Sequence, residues 1–274
     1  MSSAGSPSSA SPFGRSLRCV QRILAIAGNT VREAVRSRLL YTLLCFAVLL
    51  ICAGVLLSSL SYVENDRILQ DVGLGAMRLF GVAIALFVGV GLIHREVERR
   101  TVYTILSKPL SRAEFLLGKF AGLVLTVWLQ LAIMALAFVA VSALSAAPLG
   151  GGHAAACLLL GVELALVVAI ATFFSAFTTP ILSSLFAGGL WVVGNLTRDL
   201  REIGEASHEP GIELVTAWLH RVLPDLASFN LSIEAVHGLP IAASDVWLPL
   251  AYGAAYCAVV LVGAVAVFEQ RDFR

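Results

Sequence analysis

Long uninterrupted apolar stretches restrict this chain more than any other feature. The hydrocarbon core of a bilayer is about 30 Å thick, and a helix needs about 20 mostly apolar residues to cross it. Six stretches reach or approach that length, at 39–61, 74–93, 115–146, 154–176, 181–196 and 246–268, the fifth being the shortest. Lipid offers no partner to a backbone amide, so each stretch is predicted to be a helix. The chain reads as an all-α polytopic membrane protein with six transmembrane helices. Its composition agrees: 58% of residues are hydrophobic and 14% charged, where a soluble domain carries about 25% charged residues.

Charge placement orients the spans. With both ends on one side, residues 1–38, 94–114 and the segment after 268 hold 13 Lys and Arg, and the opposite segments 62–78, 147–153 and 197–246 hold 5. The positive-inside rule then puts both termini in the cytoplasm. Residues 1–16, rich in Ser, Ala, Pro and Gly, read as a disordered cytoplasmic tail, and no secretory signal is expected there because an apolar core is missing. Residues 17–38 read as an amphipathic helix on the inner membrane surface. Val20, Ile23, Leu24, Ala27, Val31 and Ala34 recur at helical spacing, while Arg18, Arg22, Arg32 and Arg36 fall mainly on the other side, facing headgroups or an acidic protein surface. Residues 39–268 form the transmembrane domain and 269–274 a second cytoplasmic tail.

Between the second and third stretches lies the most patterned polar segment, 94–114. A helix through Ser107 puts Glu96, Arg99 or Arg100, and Tyr103 on one face, and Pro109 stops it. Ser111 and Glu114 then make a Ser-x-x-Glu capping box for a helix running into the third span. A short helix, a hard turn and a new helix form a stiff element at the inner face.

Glu163 falls in the middle of the fourth stretch, where a charge costs about 2.5–3.5 kcal/mol to insert. It is read as the one ionisable side chain inside the spans, with no Lys or Arg to pair it. Either it lines a path or a subunit interface, or it is protonated or hydrogen-bonded to a neighbouring helix. Gly188, Gly189 and Gly194 in the fifth stretch suit close helix approach. The last outer loop, 197–246, holds Ile212, Val215, Trp218, Leu219 and Val222 at helical spacing, then Pro224, then an apolar stretch 226–239. Helix, proline break, helix is the pattern of a re-entrant pair dipping into the outer edge of the membrane, or of an amphipathic pair lying on it.

Several chemistries are not encoded. Gly118-Lys119 is followed by Phe120, so there is no phosphate-binding loop, and neither Gly-x-Ser-x-Gly nor His-Glu-x-x-His occurs. The five cysteines and five histidines do not cluster at ligand spacing. No metal, cofactor, catalytic residue or nucleic-acid partner is expected. A proton-coupled carrier using Glu163 lacks the inverted repeat such proteins show.

The segment 94–119 resembles the first cytoplasmic loop of permease subunits of type-2 ABC transporters, with Glu96, Glu98, Thr101, Ile105, Leu106, Pro109, Arg112 and Gly118-Lys119 at the positions of the family pattern. The turn Phe174-Ser-Ala-Phe-Thr-Thr-Pro180 and the amphipathic helix also resemble that family. Leu223-Pro-Asp-Leu-Ala-Ser-Phe-Asn230 and the ending Phe268-Glu-Gln-Arg-Asp-Phe273 look like its branch associated with maturation of multicopper enzymes, including nitrous oxide reductase. The resemblance implies a type V exporter fold in a bacterial cytoplasmic membrane, a homodimer of permeases served by two copies of a separate ABC ATPase. It implies that Glu96, Glu98, Thr101, Leu106, Pro109, Arg112 and Lys119 couple to the ATPase, with 17–38 as a connecting helix that includes Arg18, Arg22, Arg32 and Arg36. Glu163 and Asn195 become candidates for the translocation path, and Trp218, Pro224 and Phe229, in the re-entrant pair, for an outer gate. An alternative is a subunit that pulls on an extracytoplasmic accessory protein to assemble a metalloenzyme and moves no bulk cargo. The cargo itself is not legible, although direct metal transport finds no Cys, Met or His cluster to support it.

Overall fold

The computed structural model of the chain describes residues 12–59, 65–98, 112–197 and 223–270. All regular structure among them is helical: α1 (Pro12–Val35), α2 (Arg38–Ser58), α3 (Asn65–Glu98), α4 (Arg112–Leu144), α5 (Gly151–Ser175), α6 (Pro180–Asn195), a 3₁₀ turn (Ala227–Phe229), α7 (Ser232–His237) and α8 (Ala243–Gln270). Five of these, α2, α3, α4, α5 and α8, are long and apolar enough to cross a membrane. At 16 residues α6 is apolar but shorter, about 24 Å at 1.5 Å per residue. The 34 residues of α3 and 33 of α4 give rods of about 50 Å, longer than the hydrocarbon core. The apolar run of α3 ends at Ile93, and the helix continues for five residues that begin with His94 and Arg95, to Glu98.

The centre of the bundle is α5. Of its most apolar 18 residues, 67% are buried, against 11% in α8. Exposed Phe46, Leu49 and Leu56 on α2, and Trp247, Val259 and Val262 on α8, present the faces suited to lipid. α5 packs on α3, α4, α6, α7 and α8. Its approach to α3 is close because α3 offers glycine: a Cβ on Gly81 would stand 2.9 Å from Leu164, and one on Gly89 would stand 2.8 Å from Ala171. Small residues at such crossings let backbones approach, and in lipid this packing is a main source of helix association. Between α5 and α6 the turn is held by Thr178, whose hydroxyl donates to the Phe174 carbonyl at 2.8 Å and meets Ser183 Oγ at 2.6 Å. Pro180 takes the first position of α6, where its missing amide is not needed.

Three expectations change. α3 begins at Asn65, nine residues before the apolar stretch at 74, because its first turns are amphipathic: Leu69 is buried, and buried Gln70 donates to the Pro148 carbonyl at 3.0 Å. A criterion based on continuous apolarity cannot see such turns. The stretch 226–239 is not one helix. Asn230 breaks it, its Oδ1 accepting from the Ser232 amide at 3.3 Å and hydroxyl at 2.7 Å, and Gly238 ends α7 with φ +64°. Of the three glycines in α6, only Gly194 makes a close approach, its notional Cβ falling 2.8 Å from the Pro224 carbonyl and from Leu226. Gly189 faces open space, and Gly188 makes an ordinary contact with Leu86. Residues 212–222 lie outside the described residues.

Candidate functional site

Two clusters of charge are built into this bundle. The first lies where α3, α5 and α6 meet. Glu163 is fully buried, at mid-length of α5. Arg78, from α3, reaches it with Nε at 3.1 Å from Oε2 and 3.3 Å from Oε1, and with Nη2 at 3.0 Å from Oε1. Trp191 of α6 donates its indole N–H to Oε1 at 2.9 Å. Arg78 Nη2 also donates to Asn195 Oδ1, and the Asn195 amide donates to the Trp191 carbonyl at 2.9 Å. Both oxygens of the Glu163 carboxyl therefore have donors, the condition under which such a buried polar group is tolerated. The expectation that it has no cationic partner is wrong. Arg78 was missed because it sits four residues into the second stretch, within the overlap with the outer segment 62–78, and was counted there as a loop charge. An Arg and a Glu, each inside an apolar stretch, are the signal that could have found the pair.

Above this network the chain folds back over α6. The Leu226 amide donates to the Gly194 carbonyl at 3.0 Å, and Thr197 donates to the Gly194 carbonyl at 2.9 Å and to Asp225 at 3.2 Å. α7 packs on α3 and α5. A cavity of about 520 Å³ remains between, lined by Gly75, Arg78, Leu79, Trp191, Asn195, Asn230 and Glu234 among others. Asn195 lines it, whereas Glu163 sits behind Arg78.

The second cluster joins α1 to the start of α4. Ile26, Ala27 and Thr30 lie against α4 because Gly118 and Gly122 leave room: a Cβ on Gly122 would fall 2.7 Å from the Ala27 carbonyl and 2.7 Å from Thr30 Cβ. Lys119, only 1% exposed, holds its ammonium 3.7 Å from Glu33, and Arg22 stands 3.7 Å from Glu114. Val20 and Leu24, on the apolar side read as facing the membrane, are more than half exposed, while Ala27, Thr30 and Ala34 are buried. Burial of Ala27, Thr30 and Ala34 follows the glycines of α4, which one helix's periodicity cannot reveal.

The sequence pattern that defines the ABC-2 family transporter proteins matches residues 24–273. This chain belongs to that family. It is an ABC transporter permease, a transmembrane protein, and its family implies an ABC ATPase as partner. No curated protein matches the permease.

Of the residues expected to matter, the permease brings Glu163 and Asn195 into one network and sets Lys119 against α1 rather than free for a partner. Arg22 lies at the same junction, while Arg32, in the last turn of α1, and Arg36, just after it, are exposed. Pro224 touches Gly194, and buried Phe229 packs near Tyr252, with ring centroids 6.3 Å apart. Glu96 and Glu98 belong to the last turns of α3, Arg112 opens α4, and Arg18 lies in α1, but their side chains are not among those described. Thr101, Leu106, Pro109 and Trp218 lie outside the described residues.

Proposed function

We propose that this permease is the membrane subunit of an ATP-driven exporter, working as a homodimer over two copies of a separate ATPase, with both termini in the cytoplasm of a bacterial cell. The junction of α1 and α4 carries the reading. The connecting helix is locked by glycine packing and two ion pairs to the helix that leaves segment 94–114, so a push on either is delivered to α4. A coupling element needs such stiffness, since soft packing would absorb the stroke. Moving Arg78 into the bundle also sharpens the orientation argument, leaving four outer Lys and Arg (Arg67, Arg198, Arg201, Arg221) against thirteen inner ones.

Glu96, Glu98, Thr101, Leu106, Pro109 and Arg112 are the docking contacts on this reading. The path passes Asn195 and the Arg78–Glu163 pair, and Trp218, Pro224 and Phe229 close it on the outside. Co-purification with the ATPase tests the docking: it is expected to be lost in Pro109→Ala combined with Glu98→Arg, and retained binding removes segment 94–114 from the coupling role. ATP hydrolysis that depends on an outer protein, without flux into vesicles, would transfer the function to mechanical assembly of a metalloenzyme.

A further inference from the structure

The cavity between α3, the outer end of α6 and α7 is surrounded by polar groups the fold itself does not use. Arg78 spends Nε and Nη2 on Glu163 and Asn195, and its Nη1 takes no partner among the described residues. Asn230 uses Oδ1 for Ser232 and leaves its amide N–H₂ unbonded. Glu234 lines the cavity as well, and its Oε2, withdrawn from solvent, has no hydrogen bond among the described residues. Leaving such an atom unpaired costs about 1–3 kcal/mol, more for a charged group. All three residues line one cavity of about 520 Å³ whose other walls include Gly75, Leu79 and the Trp191 ring.

The inventory specifies a ligand. Arg78 is paired with Glu163, so among the described lining residues the remaining acidic side chain is Glu234, and a plain anion is disfavoured. An ammonium satisfies Glu234 and is further favoured by an indole face. Arg78 Nη1 and the Asn230 amide are donors, and they call for an acceptor oxygen on the same molecule. We propose that this cavity binds a primary ammonium that also carries an anionic oxygen, as in an amino acid or a phosphoethanolamine headgroup, with the ammonium on Glu234 and the oxygen on Arg78 and Asn230. Glu163 and Asn195 act here as positioning residues, holding the guanidinium so that only one of its terminal nitrogens faces the ligand. The binding step is independent of segment 94–114 and of ATP, so it can fail while the coupling assignment survives.

Gly75 supplies a clean variant. A Cβ there meets nothing within 4 Å, so Gly75→Ala leaves the cavity usable, and Gly75→Phe puts a ring into it while leaving the charged and polar lining residues in the sequence. The full-length permease is placed in nanodiscs of phosphatidylglycerol, which has no ammonium, and titrated with glycine, O-phosphoethanolamine and dihexanoyl phosphatidylethanolamine. Ethylamine and acetate serve as half-ligands. Saturable binding is expected for at least one zwitterion, tenfold or more tighter than for either half-ligand. Glu234→Gln is expected to weaken it tenfold or more and Gly75→Phe to abolish it, with Gly75→Ala within twofold of the parent. Binding of the soluble zwitterions identifies a small solute as the source, and binding of the acylated one alone identifies a lipid headgroup. The thermal midpoint without ligand, read on each variant, separates loss of the site from loss of the fold. No saturable binding by any zwitterion, acetate or ethylamine matching glycine, or folded Glu234→Gln and Gly75→Phe proteins binding as the parent does, overturns the assignment.

Discussion

Arg78 and Glu163 meet at 3.0 Å with 1% of the Glu163 side chain exposed, whereas Lys119 and Glu33 stand 3.7 Å apart with 35% of Glu33 exposed. Both pairs join an ionisable residue on a long apolar helix to a neighbour, yet the work is divided differently. In the Arg78 network the charges fix each other, and every oxygen of Glu163 has a donor. At the α1–α4 junction the geometry is set by Gly118 and Gly122, and the ion pairs trim an interface that sterics already define. Charge is therefore structural where the carboxylate is withdrawn from water and auxiliary where the carboxylate still reaches it.

The largest effect should come from stranding one member of the Arg78–Glu163 pair. Glu163→Ala leaves the Arg78 guanidinium and the Trp191 indole facing a void, and about 3–5 kcal/mol of stability is expected to go, as for other broken buried pairs. Glu163→Gln keeps an acceptor for both and should cost less. A double-mutant cycle with Arg78→Leu and Glu163→Leu, read by unfolding of the purified permease, should find the double variant more stable than either single one. If the single variants cost no more than changes at Lys119, the distinction between the regions collapses.

Next comes the glycine interface. In Gly122→Ala the new methyl would lie 2.7 Å from the Ala27 carbonyl, and backbone cannot swing aside as a side chain can. Overpacking of this kind costs about 1–3 kcal/mol. It should appear as faster amide exchange along α1 and weaker stimulation of the partner ATPase, with the Arg78 network undisturbed. Protection of α1 equal to the parent would mean that the ion pairs, and not the glycines, seat the helix.

The same division explains what could be read without a structure. Apolar length exposes α2, α4, α5 and α8 directly, because the bilayer imposes one scale on all of them. It fails at α3, whose first turns carry Asp66, Gln70 and Asp71 among buried Leu69 and Leu74, and that failure hides Arg78. Glu163 is conspicuous as an acid in a greasy helix. Its partner, 85 positions away, is fixed only by how Gly81 and Gly89 bring α3 onto α5. Glu234 is a polar residue in a segment between spans, like many others. Only the fold of 224–237 over Gly194 gives it a cavity.

Smaller effects belong to the ion pairs of the α1–α4 junction. Lys119→Met preserves most of the buried stem and leaves Glu33 partly in water, so a loss within about 1 kcal/mol is expected. Arg22→Ala should be smaller still. Arg22 and Glu114 are 39% and 18% exposed at a separation of 3.7 Å, and pairs of this type are typically worth about 0–1 kcal/mol. Salt supplies the sharper reading. Raising ionic strength from 0.1 to 1 M shortens the screening length from about 10 to 3 Å. The gap between Arg22→Ala and the parent should then close, while the deficit of Glu163→Ala, which removes a side chain only 1% exposed, should stay as it was. A salt-sensitive Glu163 deficit would mean that ions reach the carboxylate itself, and charge would then be auxiliary in both regions.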